Sequence, residues 1–206
     1  MRRRLCGGLL VIGLFGLVAG NAAAQETGTP IFKAPYRAFD THEFGASISD
    51  PGDAADFALE GFYSYGRGNN DFGIRGGIAD PEGEGDTRIL LGGDFRTRVL
   101  SYSESFPLDG ALTVGAGINI GDGDDLIYLP VGVSLGRRFE LEGSRTTFTP
   151  YVHPVIVPVL GASGGSDVGF ALGLGVDLRF SQSLAVRVSG GVGDLEGVGI
   201  GLTYVR

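Results

Sequence analysis

The sequence predicts an all-β chain closed as an antiparallel up-and-down transmembrane β-barrel of ten strands, with eight as the alternative. Three observations predict it. In the last segment Val198, Ile200, Leu202 and Tyr204 share one face, while glycines and Thr203 share the other. Short alternating runs of the same kind recur from about His42 onward, spaced too closely for helical crossovers. The chain also begins like an exported protein.

Arg2, Arg3 and Arg4 form a positive n-region, residues 5–19 an apolar core, and Asn21-Ala22-Ala23-Ala24 a small-residue cleavage site before Gln25. Residues 1–24 are thus read as a signal peptide. Their apolar stretch is shorter than the roughly 20 residues a spanning helix needs. Cys6 follows the arginines too closely for a lipoprotein attachment site. Cleavage removes the only cysteine, so burial and strand pairing, not disulfides, must hold the mature chain together. It also removes three arginines from a chain whose net charge is already −8, and this acidity argues against nucleic acid as a partner. The 38 glycines argue against long helices. No later apolar run is long enough for a membrane helix, but spanning strands escape that test because only alternate residues face lipid.

Residues 25–41 carry Pro30 and Pro35 without clear periodicity and read as a mobile leader; 42–206 read as the barrel. The predicted strands follow in order. The first, 43–49, is weak. The second, 56–66, aligns Phe57, Leu59, Tyr63 and Tyr65. The third, 71–79, aligns Phe72, Ile74 and Ile78. The fourth, 87–100, aligns Ile89, Leu91, Phe95 and Val99. The fifth, 111–120, aligns Leu112, Val114, Ala116, Ile118 and Ile120. The sixth, 126–137, aligns Ile127, Leu129, Val131, Val133 and Leu135. The seventh, 148–160, holds Pro150, Pro154 and Pro158 on one face and is expected as a bulged strand, because proline costs about 3 kcal/mol inside a helix. The eighth, 168–180, aligns Phe170, Leu172, Leu174, Val176, Leu178 and Phe180. The ninth, 183–192, aligns Leu184, Val186 and Val188. The C-terminal run is the tenth.

Glu60, Arg75, Arg88, Asp94, Arg96, Arg98, Asp177 and Arg187 fall out of phase with these apolar faces and are predicted to form an interior charge network. A soluble sandwich would turn the faces the other way round. The many uninterrupted apolar faces favour a membrane barrel, with Phe57, Tyr63, Tyr65, Phe72, Phe170, Phe180 and Tyr204 supplying interfacial girdles. Alternate connections are acidic: 50–53, 80–86, 121–125, 163–167 and 194–196. In a meander all five emerge at one end. The opposite end holds Arg67, Arg137, Arg138, Arg145 and Arg179. An even strand count puts both termini on one side, so the acidic end is expected outside the cell.

The chain resembles the small outer-membrane β-barrel proteins of Gram-negative bacteria. The resemblance covers residues 43–206 and the signal peptide, and is most specific in the last strand. There Val198, Ile200, Leu202 and Tyr204 match the alternate positions read by the barrel-assembly machinery, although Arg206 stands where the family normally ends in Phe. Outer-membrane lipid and lipopolysaccharide are the partners this resemblance implies.

Asp122, Asp124 and Asp125 have the composition of a Ca²⁺ or Mg²⁺ site, but no distal Glu completes an EF-hand, and a solvated Asp-Gly turn is the preferred reading. Divalent cations bridging the acidic rim to lipopolysaccharide phosphates are a softer expectation. The inward charges suit a salt-bridged plug better than a pore, because ten strands leave little interior space and an unpaired buried charge is costly. An open path would prefer anions, given the arginine excess. His42 and His153 are the only histidines; His153 beside Ser134 or Asp177 would be needed for hydrolase or acyltransferase chemistry, and no motif supports it. No cofactor motif is present. The expected role is non-enzymatic: envelope integrity or surface interaction. A narrow porin-like channel and a soluble periplasmic barrel holding an apolar ligand are the alternatives.

Overall fold

The computed structural model describes residues 32–52, 55–81, 85–121, 125–161 and 164–206. The expected signal peptide lies outside them. The strands are β1 (His42–Asp50), β2 (Phe57–Arg67), β3 (Asn70–Asp80), β4 (Arg88–Leu100), β5 (Asp109–Ile120), β6 (Leu126–Tyr128), β7 (Val131–Gly136), β8 (Phe139–Glu140), β9 (Thr147–Gly161), β10 (Ser166–Arg179), β11 (Leu184–Gly193) and β12 (Gly197–Val205). Each long strand pairs antiparallel with its chain neighbours, and β12 pairs with β1 from Glu43↔Val205 to Asp50↔Val198. The sheet therefore closes on itself, leaving no open edge. β6 and β7 lie end to end as one stave between β5 and β9, and β8 is a two-residue appendage on β9, so the wall has ten staves. The weak first run is a full stave, which removes the eight-stranded alternative.

The prolines act differently from the expectation. β9 is one unbroken strand whose pairing with β10 runs without a register shift from Ser166↔Leu160 to Arg179↔Thr147. Residues four apart point their backbone groups to the same neighbour, so Pro150, Pro154 and Pro158 all withhold their missing donors from one side. That side faces β6–β7: the carbonyls of Pro158 and Pro150 accept from the Leu129 and Arg137 amides at 3.0 and 3.3 Å. The sixth stave is accordingly interrupted at Leu129-Pro130, in constant register on either side. The irregularity expected in the seventh run has moved into its neighbour. The register shift that does occur lies in β4, between Arg98 and Leu100.

Outside the irregularity in β4, side chains alternate between wall faces. Outward positions are large and apolar: Ile74, Leu91, Ile156, Phe170 and the C-terminal series Val198, Ile200, Leu202 and Tyr204 are all exposed, Leu202 to 60%. Water is a poor solvent for such a continuous apolar belt, and hydrocarbon a good one. The aromatic residues are unevenly distributed between the two ends. Cross-strand pairs cluster at the end that holds the C-terminus: Phe44 with Tyr63 and Phe72 with Phe95, each at 4.9 Å between ring centroids, and Phe139 with Phe148 at 5.0 Å. Of the expected girdle, only Phe57 and Phe170 lie toward the acidic end.

The interior is filled from within the chain. The sequence reading assigns 25–41 to a mobile leader, but from Phe32 onward this segment packs inside the barrel. Phe32, Ala34, Ala38 and Phe39 are buried. Phe32 joins Tyr128, Tyr151, Val157, Ala171 and Leu195 in one cluster; Ala38 and Phe39 join Ala185 and Val205 in another. Inward glycines make the room. A Cβ at Gly173 or Gly191 would collide with the Phe32 ring. Near the acidic end, Ala55 joins Ala58, Ala79 and Leu90.

Candidate functional site

The candidate site is the occupied lumen. All eight residues of the expected interior network point inward, because they share the phase opposite the apolar face. Several of them meet in local pairs. Arg75 and Glu60 pair across β2 and β3, with Nε donating to Oε1 at 3.0 Å and Nη2 contacting Oε2. Arg187 on β11 and Asp177 on β10 are direct register partners, joined Nε to Oδ1 at 3.0 Å; Arg187 also reaches Glu43 on β1 at 3.4 Å. Arg96 does not pair with Asp94 or Glu60. Its Nε donates to Asp71 Oδ2 at 2.8 Å, its register partner on β3. Arg88 donates to Asn119 Oδ1 at 2.5 Å, and Arg98 to Asn69 Oδ1 at 3.3 Å. Asp94 pairs with Lys33, which comes from the inserted segment.

Lys33 is thus the cation that the sequence reading missed, together with Glu43 and Asp71. Nothing in the strand phase could have supplied Lys33, because it lies outside every periodic run. The wall grips the segment mainly through its backbone, whose polar groups need partners once buried. The Tyr151 hydroxyl donates to the Phe32 carbonyl at 2.7 Å, the Ser134 hydroxyl to the Lys33 carbonyl at 2.5 Å, and Arg96 Nη1 to the carbonyls of Ala34 and Tyr36. The Lys33 amide donates to His153 Nδ1 at 3.3 Å. These contacts come from β4, β7 and β9, so three stretches of wall hold the one inserted segment.

The two histidines are accounted for structurally. His153 Nδ1 accepts from the Lys33 amide, while Nε2 lies 2.7 Å from Thr113 Oγ1. Both ring nitrogens are engaged, and the ring edge abuts Phe32 at 5.7 Å. Ser134 is committed to Lys33, and Asp177 to Arg187, so the nucleophile–base pairs considered from sequence do not form. His42 sits on the outer wall with its Nδ1 2.9 Å from the Tyr63 hydroxyl. Among the described residues no group of three His, Cys, Asp or Glu side chains is placed to hold a metal ion. Asp122 and Asp124 of the candidate cation loop lie outside the described residues.

The mouth where the C-terminus lies is lined differently. Tyr36 sits there with the guanidinium carbons of Arg138 and Arg98 at 4.6 and 5.5 Å from its ring centroid. Burial, and then the neighbouring Asp109 carboxylate, push the Tyr36 phenol up to about 12, so it remains a neutral hydroxyl at physiological pH.

No protein-family model matches the chain, and no curated protein matches it. Among solved structures it is similar to a protein described as a de novo design of transmembrane β-barrels, 18% identical with a TM-score of 0.40, over 84% of this chain and 97% of that one. It is also similar to the beta domain of the Bordetella autotransporter Brka, 12% identical with a TM-score of 0.48, over 81% and 100%. LpxR from Salmonella typhimurium is 8% identical with a TM-score of 0.41, over 80% and 100%. All three TM-scores fall below 0.5, and these likenesses carry no functional weight.

Proposed function

We propose that this chain is a non-enzymatic outer-membrane β-barrel protein, occluded by its own amino-terminal segment, that contributes to envelope integrity or surface interaction. The observation that carries the reading is the filled lumen. Phe32 to Phe39 occupies the interior, and Lys33 neutralises the inward carboxylate of Asp94. Ions crossing the barrel would have to displace both. The apolar belt on the outside supports a lipid environment over a soluble barrel with an apolar ligand inside, since the interior apolar space is taken by Phe32 and its neighbours. The engaged nitrogens of His153 support a structural role over a catalytic one.

In this reading the acidic end faces outward, and divalent cations bridge it to lipopolysaccharide phosphates. The alternating series Val198, Ile200, Leu202 and Tyr204 addresses the chain to the barrel-assembly machinery.

The test has two parts. Protein from a washed outer-membrane fraction should migrate differently on a gel when boiled and unboiled. The same protein in a planar bilayer should leave the baseline current unchanged. Reproducible single-channel steps from the unmodified protein would refute occlusion and favour the narrow channel. Recovery in the soluble periplasmic fraction would refute the membrane assignment.

A further inference from the structure

Two sets of the barrel's cations contrast in their partners. Inside the wall, Arg75, Arg96, Arg187 and Lys33 each meet a carboxylate. At the mouth where the C-terminus lies, Arg37, Arg98 and Arg138 converge on a cavity of about 200 Å³ that Tyr36 also lines, and none of the three makes an ion pair among the described residues.

Their N–H groups are aimed by neutral oxygens. Arg37 donates to the carbonyls of Phe39 and Asn70 at 3.1 and 3.0 Å, and Arg138 donates to the Arg37 carbonyl at 3.0 Å. Arg98 donates through Nη2 to Asn69, while its buried Nε has no partner. Such contacts orient guanidinium groups without neutralising them. Two carboxylates also line the cavity. Asp71 is already paired with Arg96 and keeps one buried oxygen, Oδ1, without a partner; Asp40 is exposed. Neither lies within ion-pairing distance of the three mouth guanidiniums.

Like charges held together raise one another's energy, and a bound anion relieves this. The planar guanidinium fork matches the two oxygens of a carboxylate or phosphate. We infer that this mouth is a binding site for an oxyanionic group, carboxylate or phosphate, held between Arg98 and Arg138 beside Tyr36, with Arg37 completing the positive collar. The inference is independent of the barrel's orientation and of whether it conducts.

The test uses the full barrel, folded in an uncharged detergent and labelled with ¹⁵N at arginine. Sodium phosphate and sodium acetate are titrated separately at constant ionic strength set with sodium chloride, and the arginine Nε–H resonances are followed. Saturable shifts confined to Arg98, Arg138 and Arg37 are expected for at least one anion. Saturation by phosphate alone identifies a phosphate-bearing ligand, and saturation by acetate alone a carboxylate-bearing one.

R98Q/R138Q should weaken the affinity by about tenfold or more, since charge-assisted hydrogen bonds are lost. R145Q, an exposed arginine at the same end, should leave it unchanged. If the double variant does not show the unboiled gel mobility of a folded barrel, R98K replaces it; it keeps the charge, loses the fork, and should still weaken binding. Unsaturable drift, or equal shifts at Arg145, would overturn the site.

Discussion

Phe32→Ala tests most directly whether the inserted segment is part of the fold. Phe32 is 1% exposed, its ring meets His153 edge-on, and the walls at Gly173 and Gly191 are cut away to admit it. Removing a buried Phe side chain costs about 3–5 kcal/mol when the surroundings cannot collapse. The closed ladder on either side of Gly173 makes collapse difficult. The Tyr151 bond to the Phe32 carbonyl remains, so the loss reports packing alone. The assay is denaturant unfolding of the barrel in lipid vesicles, followed by the boiled-versus-unboiled gel shift. A cycle with Gly173→Ala sharpens it. In the native chain the added methyl strikes the Phe32 ring and destabilises. In the Phe32→Ala background it enters the vacated space and should be near neutral. The expected coupling is about 1–3 kcal/mol. A loss below about 1 kcal/mol for Phe32→Ala, or additive effects across the cycle, would refute a packed plug.

Three further outcomes follow from the wall and the lumen. Leu174→Arg places a charge on the outer face of β10 and should cost about 2–4 kcal/mol near a bilayer midplane, measured as unfolding in vesicles; tolerance there would count against a lipid-facing wall. Asp94→Asn should destabilise by about 3–5 kcal/mol by leaving Lys33 buried without its partner, and Lys33→Met added to it should recover part of that loss in the same assay. Pro154→Val should fold with native gel mobility, because its missing donor faces a stave already interrupted; failure to fold would mean the proline side of β9 carries pairing essential to the wall.

Period-two alternation determined much of this protein. Lipid or core on one face of a stave requires large apolar residues at every second position. Runs such as Phe170 to Phe180 and Val198 to Tyr204 therefore reveal both the strands and their outward sides. The same phase places Glu60, Arg75, Asp177 and Arg187 inward, and the short connections dictate a meander. Partner choice within the lumen was not legible. The register of β3 against β4 decides that Arg96 meets Asp71 rather than Asp94, and closure of the sheet through β12 and β1 decides that Arg187 meets Glu43.

The proline pattern of β9 was visible in sequence, but its consequence was not. Which neighbour receives the three missing donors depends on the direction of the backbone groups in the folded sheet. The inserted segment was hidden most completely. Residues 32–41 have no periodicity because they form neither helix nor strand; their pattern is matched to glycines and hydroxyls on several distant staves. Sequence by itself determined the wall, because each stave answers to the solvent beside it. Only the tertiary structure decided what fills the wall, because that depends on shape and charge complementarity between segments far apart in the chain.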